Sequence, residues 1–416
     1  MEYKLHKCGS YNIHTIKTDR FKTIRMEITF RNNLDKEDYQ IRNFLFNLLL
    51  ENNKEYKTKR ELLLKQEDLY NASLYASVNK LGASILQTVV IDFLDPSLTK
   101  DDYLEEAIKL PFDMIFNPDI NNNEFNKESF EIVKKYLENE IKTSIENKSR
   151  YAVSSALKGM DKDSISAIDM LGTLEGLDNI TNDKLLEAYN NILKHDYVDI
   201  SIIGNINTDR VVDIINKYAN FETIKDHEIN YYVENKLPKK VKEITEESDN
   251  TQTHLIYILN VNKLTERERD YVLPVFNTIL GGGSLETKLY RHVRDEKSLC
   301  YSIGSMNMKF DGLILIRTGI DSENINEAKK TIEYTLKDMK NISDIELSRS
   351  ISSIINNLNM CLDSEGNIID EYLFNYIFNR PYVDERKEIY KTVTKEEVAS
   401  LAKRIEINTI YILEGE

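Results

Sequence analysis

Two stretches of this chain, 231 residues apart, carry the same spacing of apolar residues, and this repeat limits the possible folds more than any other feature. Phe21 to Phe30 alternates, placing Ile24, Met26, Ile28 and Phe30 on one face, the period of a half-buried strand. A helix signal follows. Asp35 suits the N-terminal cap, Glu37 and Asp38 suit the first turn, and Ile41, Phe44, Leu45, Leu48 and Leu49 fall on one stripe. The pair of elements then returns. Leu255, Tyr257, Leu259 and Val261 alternate, and Val272, Val275, Phe276, Ile279 and Leu280 stripe a helix that opens with Thr265 and Glu268 at capping-box spacing.

Further pairs follow in the same order with shifted offsets. Val89 to Asp95 matches Leu315 to Asp321, both running into a helix. Thr181 with Leu185, Tyr189 and Ile192 matches Thr394 with Val398, Ala402 and Ile405, and each leads to a terminal strand closed by a glycine, Gly204 or Gly415. Two copies of one α+β unit account for nearly the whole chain. The expected architecture is two homologous domains, residues 1–230 and 231–416, each a mainly antiparallel sheet with helices packed on one face. Phe221 to Asn250 is polar, charge-rich and contains Pro238, as suits a connector, and its Val241 to Ile244 stretch can open the second copy as a strand.

The 416 residues suffice for two cores of ordinary size. With 41% apolar and 30% charged residues the balance is that of a soluble globular protein. A net charge of −15 without a clustered Lys/Arg patch argues against a general nucleic-acid surface. No apolar run of roughly 18 residues is present to span a bilayer, and Met1 to Ser10 has no apolar signal-peptide core. Cys8, Cys300 and Cys361 are odd in number and far apart, so they read as reduced thiols rather than a zinc or disulfide set. A cytoplasmic protein is expected.

Residues 280–304 read LGGGSLETKLYRHVRDEKSLCYSIG. This segment resembles a signature in the second domain of the pitrilysin/insulinase family, the inverted-motif zinc peptidases that include mitochondrial processing peptidase. The glycine run, the Leu-Tyr step, Val293-Arg294, Leu299 and Tyr301-Ser302 carry the match. Members of that family are built from paired α+β domains, so the resemblance and the internal repeat agree over essentially the full length.

Activity in that family requires an H-x-x-E-H helix in the first domain, where two His bind zinc and the Glu deprotonates the metal's water. The corresponding helix here, Asp35 to Asn53, reads NFLFN at Asn43 to Asn47, or FLFNL one residue later. Neither register supplies a His or a Glu where the chemistry needs one. The six histidines are His6, His14, His195, His227, His254 and His292, and no two are four apart. An Asn amide is a weak zinc ligand and Phe46 takes no proton. The family's further Glu ligand is expected within Phe130 to Ile141, where the best register places Val133, with Glu131, Glu138 and Glu140 close by. No metal is therefore expected in this chain.

The resemblance does carry over to Arg294 and Tyr301, which match an Arg and a Tyr that family members project into the substrate chamber. Both are hydrogen-bond donors: a phenol for the oxyanion, a guanidinium fork for the substrate backbone. The bland reading is a surface arginine beside Asp295 and Glu296 and a strand tyrosine packing its ring; the intact signature around them favours the functional one. Ser298 and Cys300 depart from the usual Gly and small residue. Gly281, Gly282 and Gly283 lack the order of a phosphate-binding loop. They leave two readings: a helix terminus with positive dihedrals, or a substrate-contacting loop like the glycine-rich segment of processing peptidase's silent subunit. Cys300 with His292 or His254 as a nucleophile and base is the weakest reading, because single cysteines on strands are usually small core residues.

These residues imply a subunit that binds no zinc itself and partners an H-x-x-E-H-bearing homologue whose zinc performs peptide hydrolysis, this chain supplying part of the substrate chamber. The alternative is a pseudoenzyme that binds a peptide or stabilises a complex without aiding a reaction.

Overall fold

The structure, a computed structural model, describes residues 1–222, 224, 227–283 and 285–415. The chain forms two compact units, and neither is one continuous stretch. The first comprises Met1–Lys142, Met170–Asn230 and Cys361–Arg380; the second comprises Thr143–Asp169, Tyr231–Met360 and Pro381–Glu416.

In the first unit the strands are β1 (Glu2–Lys7), β2 (Tyr11–Lys17), β3 (Thr23–Asn33), β4 (Ser73–Leu81), β5 (Ser84–Leu94) and β8 (Tyr197–Gly204), with a small hairpin of β6 (Ile120–Asn121) and β7 (Glu124–Phe125). The six long strands form one sheet in the order β1-β2-β8-β3-β5-β4. All its pairings are antiparallel except β2 with β8. In the second unit β9 (Lys242–Glu247), β10 (Thr253–Asn260), β11 (Cys300–Met308), β12 (Leu313–Ile320) and β13 (Glu406–Glu414) form a sheet in the order β11-β12-β10-β13-β9. Here too only the pair joining β13 to its neighbour β9 is parallel. Apart from β1, the two sheets have the same order and the same strand polarity, which is the α+β duplication expected from the repeat. The closing glycines are not equivalent, however. Gly204 follows Ile203, which pairs with Arg25, whereas Ile412 already pairs with Leu255, so Gly415 lies three residues beyond the matching position.

One face of each sheet is packed as the apolar stripes require. Ile24, Met26, Ile28 and Phe30 are buried against Phe44, Leu45, Leu48 and Leu49 of the helix Tyr39–Leu49. Leu255, Tyr257 and Leu259 are buried with Val275, Phe276, Ile279 and Leu280 of the helix Leu273–Leu280. Thr265 and Glu268 do form reciprocal backbone hydrogen bonds, at 3.2 and 2.9 Å. Asp35 does not cap the first helix. Its carboxylate accepts from the Glu37 N–H at 2.9 Å in a local turn, and the helix begins after Asp38.

A cut at residue 230 misses two helices. Lys148–Met160 precedes that point, yet its buried Ala152, Ala156 and Met160 pack in the second unit on Ile256, Ile258, Leu313, Leu315, Tyr411 and Leu413. The helix Glu365–Phe378 follows it, yet Ile368 and Ile369 pack in the first unit on Ile16 and Ile203. Each sheet thus has a helix on its second face in addition to those on the first. The alternate residues of β3 are consequently not solvent-facing: Glu27, Thr29 and Arg31 are buried. A carboxylate there needs a partner, and Arg25 Nε donates to Glu27 at 2.6 Å while its Nη1 reaches Asp92 at 2.9 Å. Thr23 donates to Glu365 on the covering helix at 2.7 Å.

Burial pushes the Glu27 carboxyl up to about 7, against the opposing pull of Arg25, with Asp370 and Asp92 adding to the rise. A carboxyl whose pKa is raised by folding gives a contribution to stability that is complete below its unfolded value and lost as pH rises through about 7. The expected outcome is that Glu27→Gln flattens the fall in melting temperature between about pH 5 and pH 8, removing a penalty of up to about 3 kcal/mol at the alkaline end. A pH series of thermal melts of both proteins checks this; parallel curves contradict it.

Candidate functional site

The helix Tyr39–Leu49 turns the face that would hold a metal into core. Asn43 is buried and its amide donates to the Met170 carbonyl at 3.3 Å. Asn47 donates back to the Asn43 carbonyl at 2.8 Å, one turn away. Phe46, in the position of the catalytic Glu, is buried with its ring edge-on to Phe30 at 5.3 Å. The alternative register fares no better, since Phe44 packs on Phe130 at 4.9 Å. In the helix Lys127–Glu146 the buried stripe is Ser129, Val133, Leu137 and Ile141. Val133 therefore occupies the inward position, while Glu131 and Glu140 are exposed and Glu138 half-buried. Among the described residues no group of three or more His, Cys, Asp or Glu is placed to hold a metal ion. Two amides and a phenyl ring do not make a zinc donor set, and they supply no base.

Arg294 and Tyr301, by contrast, are brought together. Arg294 sits in a π-helical turn, Tyr290–Asp295, which is anchored by buried His292 and Val293. Its guanidinium lies 4.6 Å from the Tyr290 ring centroid and 5.0 Å from that of Tyr301. Among the described residues its N–H donors have no hydrogen-bond or ion-pair partner. Tyr301 is 80% exposed. It lies on β11, an edge strand, at a register shift where Cys300 pairs with Ile320 but Ile303 with Thr318, so Tyr301 and Ser302 together oppose Gly319. A bulge of this kind re-aims a side chain.

The turn into β11 explains why glycine suits position 298. Ser298 has φ +53°, in the left-handed region, and its N–H closes the helix by donating to the Arg294 carbonyl at 2.8 Å. Burial pushes the Cys300 thiol up. His292 bonds to Thr335 at 3.0 Å and His254 to Asn250 at 3.2 Å, so neither is engaged as a base for Cys300.

The glycine run has a local role that only partly matches positive dihedrals. Gly283 has φ +111°. Gly281 and Gly282 are required for close approach instead: a Cβ on Gly281 would meet the Ser305 nitrogen at 2.8 Å, and one on Gly282 the Asn277 carbonyl oxygen at 2.8 Å. The Gly281 carbonyl accepts from the Ser305 N–H at 3.0 Å, tying the run to the strand that carries Tyr301.

Residues 179–354 match the family described as "Peptidase M16 inactive domain". The chain is also 27% identical over 419 residues to the "Probable inactive metalloprotease YmfF" of Bacillus subtilis (strain 168), covering 98% of this chain and 97% of that protein. A conserved protein from Enterococcus faecalis V583 superposes with a TM-score of 0.91 at 26% identity, over 98% of this chain and 97% of the other. A peptidase M16 inactive domain from Pseudomonas fluorescens has the same fold, with a TM-score of 0.81 at 17% identity over 100% and 99% of the two chains. The resemblance to the pitrilysin/insulinase family, and to its members without an H-x-x-E-H motif, is borne out. Among the described residues, no helix of this chain is long and apolar enough to cross a membrane.

The sequence names Tyr290 only as part of the Leu-Tyr step; its place as a second ring against Arg294 was not anticipated, although an aromatic four residues before an arginine on a helix is a legible signal. Sequence reasoning also passed over a buried polar centre in the first unit, where Asp199 accepts from Arg31, His14 and Asn12. These residues lie on three separate strands, and no spacing links them. Elemental analysis of the purified chain is expected to show far less than one zinc per chain, and peptide hydrolysis by the chain alone should be absent. One tightly held zinc with chelator-sensitive cleavage would refute the reading of Asn43, Phe46 and Asn47 as a face that holds no metal.

Proposed function

We propose that this chain is the non-zinc-binding subunit of a heterodimeric zinc peptidase. It supplies part of the substrate chamber, including Gly281 to Gly283, and contributes Arg294 and Tyr301 in trans to a homologue that bears H-x-x-E-H and the metal. One contrast carries the reading: the metal face of the helix Tyr39–Leu49 is filled with core residues, while Arg294 and Tyr301 keep their donors unpaired among the described residues and Tyr301 is exposed. A phenol hydroxyl stabilises a carbonyl oxygen as negative charge develops on it, and the free guanidinium edge grips substrate backbone. The chain binds a peptide substrate, and neither nucleic acid nor membrane is part of its role. The cytoplasm is the proposed location, in keeping with free thiols at Cys8, Cys300 and Cys361.

A specific observation favours the second reading, a pseudoenzyme scaffold. The Arg294 guanidinium lies close to both the Tyr290 and Tyr301 rings, an arrangement that also serves simply to rigidify the turn into β11. Kinetics separate the two. A stable pair with the homologue should bury more than about 1,200 Å² and survive size-exclusion chromatography. In that pair Tyr301→Phe is expected to lower kcat by about 10²- to 10³-fold with little change in KM. Arg294→Ala should lower kcat/KM with a larger share in KM. Variants that assemble normally, leave the partner's zinc in place and cleave at the wild-type rate would establish the scaffold reading instead.

A further inference from the structure

The second unit has an apolar cleft of about 520 Å³ at the place where the first unit has a filled core. Two helices establish the equivalence. In Leu104–Phe116 the buried positions include Leu104, Ala107, Ile108, Pro111 and Ile115. In Ile325–Asp338 and the residue after it they are Ala328, Thr331, Ile332, Thr335 and Met339, each displaced by 224. Phe112 and Phe116 of the first helix hold the buried ring of Phe221, at 6.5 and 4.9 Å. Phe221 ends a segment whose helix, Thr208–Tyr218, buries Val211, Ile214 and Ile215. That helix is fastened to Leu104–Phe116 by Lys217 and Tyr218, which donate to Glu105 at 2.6 and 2.7 Å.

The displacement of 224 carries Phe112 to Leu336 and Phe116 to Lys340, and both line the cleft. The displacement of 231 carries Ile28 and Leu45 to Leu259 and Phe276, which line it as well. Half-buried Leu336, Ala402, Ile405 and Ile407 are thus left as an uncovered apolar floor. Among the described residues no segment of the second unit takes the place of Phe221 and its helix. The rim differs in charge. Lys337, Lys340 and Lys403 are exposed around the cleft, and none of them forms an ion pair among the described residues. Glu333 and Glu406 also line it, leaving the lysines in excess by one.

We propose that this lysine-rimmed cleft docks an amphipathic helix of a partner protein, with an i, i+3, i+4 apolar stripe and an acidic flank. The stripe seats on Leu336, Ile405 and Ile407 as Val211, Ile214 and Ile215 seat in the first unit, and the acidic flank pairs with the three free lysines. This goes beyond the peptidase reading and stands without it, because none of the cleft residues belongs to the Arg294/Tyr301 site.

The probe is a fluorescein-labelled peptide with the sequence of residues 207–222 carrying Arg210→Glu and Lys217→Glu, titrated with the full-length chain. Saturable binding that weakens with salt is expected, and the unmodified sequence should bind more weakly. The surface variant Lys337→Glu/Lys340→Glu/Lys403→Glu should lose at least about tenfold in affinity for the acidic peptide and reverse the preference between the two peptides. Leu336→Asp should abolish binding, with thermal melts confirming that both variants fold. The absence of saturable binding up to about 100 µM chain would overturn the proposal. Binding indifferent to the triple variant would also overturn it, as would palmitate binding in the cleft without peptide binding, which would mark a small-amphiphile site.

Discussion

The first unit depends on one buried ion pair. Asp199 on β8 is fully buried, and Arg31 on β3 donates to it at 2.7 Å from Nε and 2.6 Å from Nη2. Asn12 and His14 on β2 add donors at 2.9 and 3.1 Å. Tyr3 on β1 meets His14 at 2.9 Å, and Tyr376 on the covering helix accepts from Asn12 at 3.3 Å. Burial alone would push the Asp199 carboxyl up; Arg31 first, then His14 and Asn12, outweigh it and hold it well below the ordinary range. One carboxylate therefore ties together three strands directly, and through His14 and Asn12 also β1 and the helix Glu365–Phe378. Removing one partner of such a pair leaves an uncompensated charge and costs about 3–5 kcal/mol, so these strands and the helix that covers them are energetically coupled.

That coupling constrains the rest of the first unit. The sheet is covered on both faces, so β3 alternates between apolar residues and paired charges rather than between core and solvent. On the other face the helix Tyr39–Leu49 is free to be pure core once metal binding is given up. Asn43 and Asn47 satisfy backbone carbonyls, Phe46 fills volume, and Arg42 is buried in an ion pair with Asp196. Replacing ligands by a packed, hydrogen-bonded face removes the need to bury charges that only a cation would compensate. The second unit keeps its own specialised segment intact, with the glycine run, the π-helical turn and the bulged edge strand all converging on the strand that bears Tyr301.

Much of this was legible beforehand. The matched stripes of β3 and β10 and of the helices behind them reported both sheets and their first-face cores, because periodicity is imposed by the surface each element must bury. The lack of any His pair at helical spacing is likewise plain in the sequence, because it depends on residue identity alone. The signature around them singles out Arg294 and Tyr301 as candidates, and Ser298 departs from its glycine, which its positive φ accounts for. The approach of Arg294 to both the Tyr290 and Tyr301 rings was not found, and neither was the bulge that exposes Tyr301.

The sequence by itself determined the duplication, the periodic elements that carry it and the lack of an H-x-x-E-H motif, since each is written in residue type and local spacing. Tertiary structure alone decided which helix covers which second face. Lys148–Met160 and Glu365–Phe378 each carry small or apolar residues suited to many surfaces, and only contacts with strands more than about eighty residues away along the chain select between them. It likewise decided that Glu27 and Arg31 would be buried, that Asp199 would join three strands, and that the cleft beside Leu336 would stay open where Phe221 closes its counterpart. Such pairings come from residues distant in sequence meeting in space, and no local periodicity encodes them.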